Sequence, residues 1–141
     1  MSEPNGILRI GDDEILFRRI PVSTDWYDGK VSPNAFNPTK SDIDGISVYR
    51  KTFLSAPDLA GKGRNVKGYY VVALRAIDLK QSVIRVIPNP LPDDPDHALI
   101  PDLTYSNKDS DRSKMLKIRL AELCILPAEG PFIPTNSADP T

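Results

Sequence analysis

Residues able to do chemistry are sparse in this chain and fall in a few places. His97, the only histidine, follows Asp93, Asp94 and Asp96. A carboxylate beside an imidazole can fix its tautomer and raise its basicity, which a general base needs. The competing reading is a solvated acidic loop at the start of a strand. Carboxylates this close along an irregular loop match no recognised metal-ligand spacing. One cysteine and one histidine exclude a Cys/His zinc site, so no metal is expected. Ser47 and Tyr49 share one side of a short strand-like run, and Arg18 and Arg19 lie near the end of another. Ser47 lacks the flanking glycines of a nucleophile elbow, which gives a hydrolase triad little support.

The remaining candidates are binding residues. Gly61-Lys62-Gly63-Arg64 is the nearest approach to a phosphate cradle, with two glycines for close backbone approach and two cations, Lys62 and Arg64. It opens no helix, and a plain turn with solvated charges explains it better. Trp26, Tyr27 and Phe36 stand in the Ser-, Pro- and Asn-rich stretch from Ser23 to Ser41. Such a long loop either presents side chains to a partner or is pinned to the body by its aromatics. Cys124 lies in an apolar run with no basic neighbour and reads as a small core residue.

The elements that must position these residues follow from pattern. The densest β-branched and aromatic content lies between Gly68 and Asn89, in two runs, 69–76 and 82–87, that read as strands. The first is apolar on both faces, as a central strand covered on both sides would be. Ile7–Ile10 and Glu14–Ile20 read as a hairpin turned by Gly11-Asp12-Asp13. Ile43–Arg50 and His97–Ile100 read as further strands. Ser55 caps a short helix, and Asp109 or Ser110 caps a longer one over about 110–124. Met115, Leu116, Ile118, Leu120, Leu123 and Cys124 mark its apolar face.

The expected fold is α+β: a small, mostly antiparallel twisted sheet of five to six strands, a short helix and one longer C-terminal helix. Sequential strands are expected to lie beside one another, in meander-like order. The expected boundaries are a disordered 1–6, a single globular domain over 7–126, and an extended or disordered Pro-rich tail over 127–141. Fourteen prolines demand many loops and edges. A net charge of −1 argues against a nucleic-acid binder that relies on bulk charge. A lone cysteine and no apolar run of membrane-spanning length fit a soluble, cytoplasmic, bacterial protein.

Arg18 or Arg19 near a strand end, Ser47 with Tyr49 on a second strand, and a later acidic residue resemble the layout of ADP-ribosyltransferases. In that family an Arg or His of the first strand and a Ser of the second grip the dinucleotide, and a Glu acts on the ribose. Only Ile46-Ser47-Val48 stands where the family has Ser-Thr-Ser. The late glutamates, Glu122 and Glu129, lie outside the matching strands. The resemblance implies NAD as cofactor, Arg18 or Arg19 on its phosphates, Ser47 and Tyr49 near the nicotinamide ribose, and His97 as acid or base. It requires these side chains to converge in one cleft. The absence of a strong catalytic motif favours the other expectation, a domain that needs no cofactor and binds another protein. Its contact residues would be Trp26, Tyr27, Phe36, Lys62 and Arg64. The NAD-using ADP-ribosyltransferase-like enzyme or toxin component is the alternative.

Overall fold

The computed structural model describes residues 9–133. The expected disorder of 1–6, and the part of the expected tail beyond Ile133, lie outside the described residues. Among those described, six strands form one antiparallel sheet: β1 (Ile15–Pro21), β2 (Ile46–Arg50), β3 (Tyr69–Arg75), β4 (Ile87–Pro88), β5 (His97–Ile100) and β6 (Ile125–Phe132). Their spatial order is β4-β5-β2-β1-β3-β6. The order is not a meander, because β1 lies between β2 and β3 and only two adjacent pairs are consecutive in sequence. Helices α1 (Ala56–Gly61), α2 (Ala76–Gln81) and α3 (Asp111–Leu123) complete the α+β fold. No helix among the described residues is long and apolar enough to cross a membrane.

Strand alternation divides the apolar side chains between two faces. On one, Leu16, Ile20, Ile46, Val48, Val72, Leu74, Ala98 and Ile100 pack with Phe36, Leu79, Leu103 and Leu120. On the other, Phe17, Tyr69 and Val71 pack under Ala56, Leu59 and Ala60 of α1. Ser55 caps α1 by accepting from the Asp58 N–H at 3.2 Å, and Ser110 caps α3 by accepting from the Ser113 N–H at 3.1 Å. The apolar face of α3 is narrower than its sequence suggests: Leu120 and Cys124 are buried, whereas Met115 and Ile118 are exposed.

Three expected boundaries move. The second β-branched run is a strand only at Ile87–Pro88. Before it, Val83 takes a left-handed φ of 59°. The Val83 and Ile84 N–H groups then close back on the Lys80 and Leu79 carbonyls, so capping of α2 takes the donors a ladder would need. Arg9 and Ile10 are not in a strand, although Gly11-Asp12-Asp13 does turn the chain. The domain also does not end at residue 126, because β6 carries Pro127 and Pro131 into the sheet. It can do so because β6 is an edge strand, where a missing N–H costs no ladder bond.

The turn before β1 carries a nearly buried ion pair. The Arg50 side chain, 5% exposed, donates from Nη2 to Glu14 Oε2 at 2.6 Å, and its Nε donates to Oε1 at 2.8 Å. Burial raises the Glu14 pKa, but the bonds from Arg50 and the Gly11 N–H outweigh it and hold the carboxyl below its ordinary value. A depressed carboxyl stabilises the fold above its unfolded pKa and loses that contribution as pH falls through the folded one. Glu14→Gln is expected to cost about 3 kcal/mol at pH 7. In urea titrations its stability should also fall less steeply with acid below the ordinary carboxylate range; parallel pH profiles would show that the pair is not the titrating element.

Candidate active site

Beyond its first two pairs, Leu16 with Arg50 and Phe17 with Tyr49, the β1–β2 ladder stops. The β2–β5 ladder continues, with Ser47 opposite Leu99 and Tyr49 opposite His97. Residues two apart on facing strands share a sheet face and lie within diagonal reach. Ser47 Oγ and His97 Nε2 are 2.8 Å apart. His97 Nδ1 lies 3.0 Å from the Asn89 carbonyl oxygen. A carbonyl only accepts, so Nδ1 carries the proton, and in the neutral ring Nε2 offers its lone pair to the Ser47 hydroxyl. The result is a serine paired with an oriented base, the arrangement that nucleophilic catalysis requires. His97 is buried, 6% exposed, with Tyr49 edge-on at 5.4 Å between ring centroids.

None of the neighbouring aspartates orients the imidazole. Lys62 takes the Asp94 carboxylate at 2.5 Å and the Asp93 carbonyl at 3.4 Å. The Asp96 carbonyl accepts from the Arg50 N–H. Asp96 Oδ2 is buried with no hydrogen-bond partner among the described residues. The role expected of a side-chain carboxylate is filled by a main-chain carbonyl, which no side-chain pattern announces.

Two arginines approach the opened seam from opposite faces of β1. Arg18 donates from Nη1 to the Ser47 carbonyl and from Nε to the Ala35 carbonyl, both at 2.8 Å, and stacks 5.5 Å from the Phe36 ring centroid. Burial pushes its pKa down, opposed by the nearby charges of Asp42 and Tyr49; the guanidinium stays charged. Arg19 lies 5.7 Å from the Tyr49 ring centroid and 5.6 Å from that of Tyr69. It donates from Nη1 to the Leu59 carbonyl at 3.3 Å. Neither arginine has a carboxylate in salt-bridge contact among the described residues. Arg18, Arg19, Ser47 and Tyr49 together line a cavity of about 180 Å³. A second cavity of about 290 Å³ shares both arginines and adds Trp26, Asn34, Asn37, Pro38, Thr39 and Tyr69.

Four of the five candidates for chemistry named from sequence, Arg18, Arg19, Ser47 and Tyr49, therefore line one cavity, and the fifth, His97, reaches it through its bond to Ser47. The binding candidates disperse. Phe36 is wholly buried in the core, and Tyr27 packs against Tyr70 with ring centroids 4.7 Å apart and planes tilted by 56° while its hydroxyl accepts from the Ala128 N–H. Of the loop aromatics it is Trp26 that lines the second cavity. The Gly61–Arg64 stretch cradles a phenol: the Tyr69 hydroxyl accepts from the Arg64 and Asn65 N–H groups at 2.9 and 3.0 Å. A Cβ on Gly63 would overlap the Tyr69 ring, so the glycine serves that packing. Arg64 is exposed and Lys62 is tied to Asp94. Burial pushes the Cys124 thiol up to about 12, partly opposed by Arg18, which leaves it unreactive.

Two larger grooves, of about 400 and 730 Å³, lie away from this cluster. Neither brings two arginines without a bonded carboxylate together with a serine, which is why the smaller cavity is the candidate. No group of three or more His, Cys, Asp or Glu among the described residues could hold a metal ion. No family model matches the chain, and neither a curated protein nor a solved structure matches it.

Arg18 donates to two main-chain carbonyls, those of Ser47 and Ala35. Arg18→Met is expected to lower unfolding free energy by about 1–3 kcal/mol, the cost of orphaned buried acceptors. Arg19→Met should cost less than about 1 kcal/mol, because its single bond to the chain is long. Urea denaturation distinguishes them, and equal losses would count against Arg18 as the strut of the site.

Proposed function

We propose that this protein is a group-transfer enzyme or hydrolase acting on a phosphate-bearing small molecule, with Ser47 as nucleophile and His97 as its base. The observation that carries the reading is the 2.8 Å Ser47–His97 hydrogen bond beside two guanidiniums that have no carboxylate partner among the described residues. Phosphate oxygens would take the donors that Arg18 and Arg19 leave unused, with the Tyr49 hydroxyl as a further donor. As Ser47 Oγ bonds to phosphorus, its proton passes to His97 Nε2. The bond to the leaving oxygen breaks, and that oxygen takes the proton from His97. Water or an acceptor hydroxyl, deprotonated by the same imidazole, then bonds to phosphorus as the bond to Ser47 Oγ breaks, and the imidazolium returns its proton to Ser47 Oγ. Fixed cations at the pocket wall would stabilise the charge that develops on the transferring group.

A pyrophosphate, such as that of NAD, would engage both arginines at once. Transfer from the nicotinamide ribose calls in addition for a carboxylate on the sugar, and among the described residues none lines the cavity. That chemistry therefore has less support than attack at phosphorus. The test is turnover of nitrophenyl phosphate mono- and diesters and of pyrophosphate esters by the full chain. Ser47→Ala and His97→Gln should each lower kcat by about 10²–10⁴-fold while the melting temperature stays within a few degrees. Turnover that survives Ser47→Ala would remove the serine from the chemistry.

The expectation of a protein partner keeps one supporting feature. Ile118 and Leu126, 41% and 49% exposed, flank the groove of about 730 Å³ between α3 and the loop at 24–33. Exposed apolar side chains beside a groove suit docking. A stoichiometric partner recovered from the native host should be lost on Ile118→Glu with the fold intact; its retention would count against this groove.

A further inference from the structure

We infer that the cavity beyond the two arginines is a nucleobase subsite, so that the substrate of the Ser47–His97 site is a nucleotide. The inference rests on the phosphate-binding reading above and adds the class of molecule that carries the phosphate. Arg18 and Arg19 are common walls of both cavities. A ligand whose phosphate lies on the guanidiniums beside Ser47 therefore has its next chemical group directed to the larger space.

The lining there suits a flat, neutral, hydrogen-bonding ring. Trp26 supplies a wide aromatic surface and Pro38 a buried apolar one. Base stacking on aromatic side chains is tolerant of sequence and strong. Apart from the arginines no charged side chain lines the cavity, which disfavours a second anionic group and favours an uncharged heterocycle. Polar groups are also in place. The Trp26 indole N–H and the Asn34 amide N–H groups have no acceptor among the described residues. Asn34 Oδ1 receives only a 3.4 Å bond from Asn37, whereas Asn37 Oδ1 is held by Lys117 at 2.7 Å. A base edge presents both donors and acceptors, which is what Asn34 can read.

The site is also preformed. The Trp26 N–H donates to the Ser23 carbonyl, and the Ser32 N–H donates to the Trp26 carbonyl at 2.9 Å, closing the loop on itself. The 3-10 turn over Pro33–Phe36 is capped by Ser32 and anchored by the buried Phe36. A wall fixed before the ligand arrives loses little ordering entropy on binding.

Trp26 is the only tryptophan, so emission excited at the red edge of its absorption, where tyrosine does not absorb, reports on this cavity. The experiment titrates the full chain with ADP and with inorganic pyrophosphate, following fluorescence and heat. ADP is expected to bind about ten- to a hundredfold tighter than pyrophosphate and to change Trp26 emission, as stacking requires. Trp26→Leu should bring ADP affinity down to that of pyrophosphate and leave pyrophosphate unaffected. Asn34→Ala should weaken ADP alone by a smaller factor, about tenfold or less. If both ligands bind equally and Trp26 emission does not move, the base subsite is overturned while the phosphate reading stands. If neither binds, both fall together.

Discussion

Arg18 brings a full positive charge into the seam where β1 and β2 separate, and among the described residues no carboxylate is bonded to it there. Two main-chain carbonyls, of Ser47 and Ala35, receive it instead. An antiparallel pair continued past Phe17 and Tyr49 would have closed the seam with backbone hydrogen bonds. The guanidinium takes the place of part of that ladder and holds the Pro33–Phe36 turn against the sheet. The same bonds that satisfy the backbone leave the rest of the cation facing a cavity. The opening is therefore built into the sheet and does not depend on a mobile loop.

The groups around this opening are fixed by packing two layers deep. Arg19 is aimed by the rings of Tyr49 and Tyr69 and by the Leu59 carbonyl. Tyr69 is in turn held by the Arg64 and Asn65 N–H groups over a glycine that leaves room for its ring. His97 is set by the Asn89 carbonyl and by the register of β5 on β2. Each of these side chains thus has a partner that limits its freedom, which is what the proposed chemistry at Ser47 would require.

Much of the scaffold was legible in the sequence because it rests on local signals. Ser55 and Ser110 mark helix starts by their own side chains, and Tyr69–Arg75 is a largely buried strand because it is apolar on both faces. His97–Ile100 begins and ends where its composition says. The run after Gln81 misleads because β-branched residues favour strands on average, while helix capping takes the amide groups of Val83 and Ile84. Pro127 and Pro131 mislead in the other direction: proline is excluded from ladder interiors but not from an outer edge, and edge position is a property of topology. The site follows the same division. Its residue types stood out one by one, but the bond between Ser47 and His97 joins positions 50 apart and depends on strand order. The third member, the Asn89 carbonyl, has no side-chain signature at all.

Both margins of the sheet end in proline-bearing chain. β4 is two residues long and closes with Pro88, and β6 carries Pro127 and Pro131 with register shifts along β3. Neither margin offers the unbroken row of donors and acceptors that an incoming strand would need. The fold is therefore guarded against fibril growth and strand exchange between copies. It is equally closed to partners that bind by adding a strand. Among the described residues, side chains and cavities are the features left for recognition.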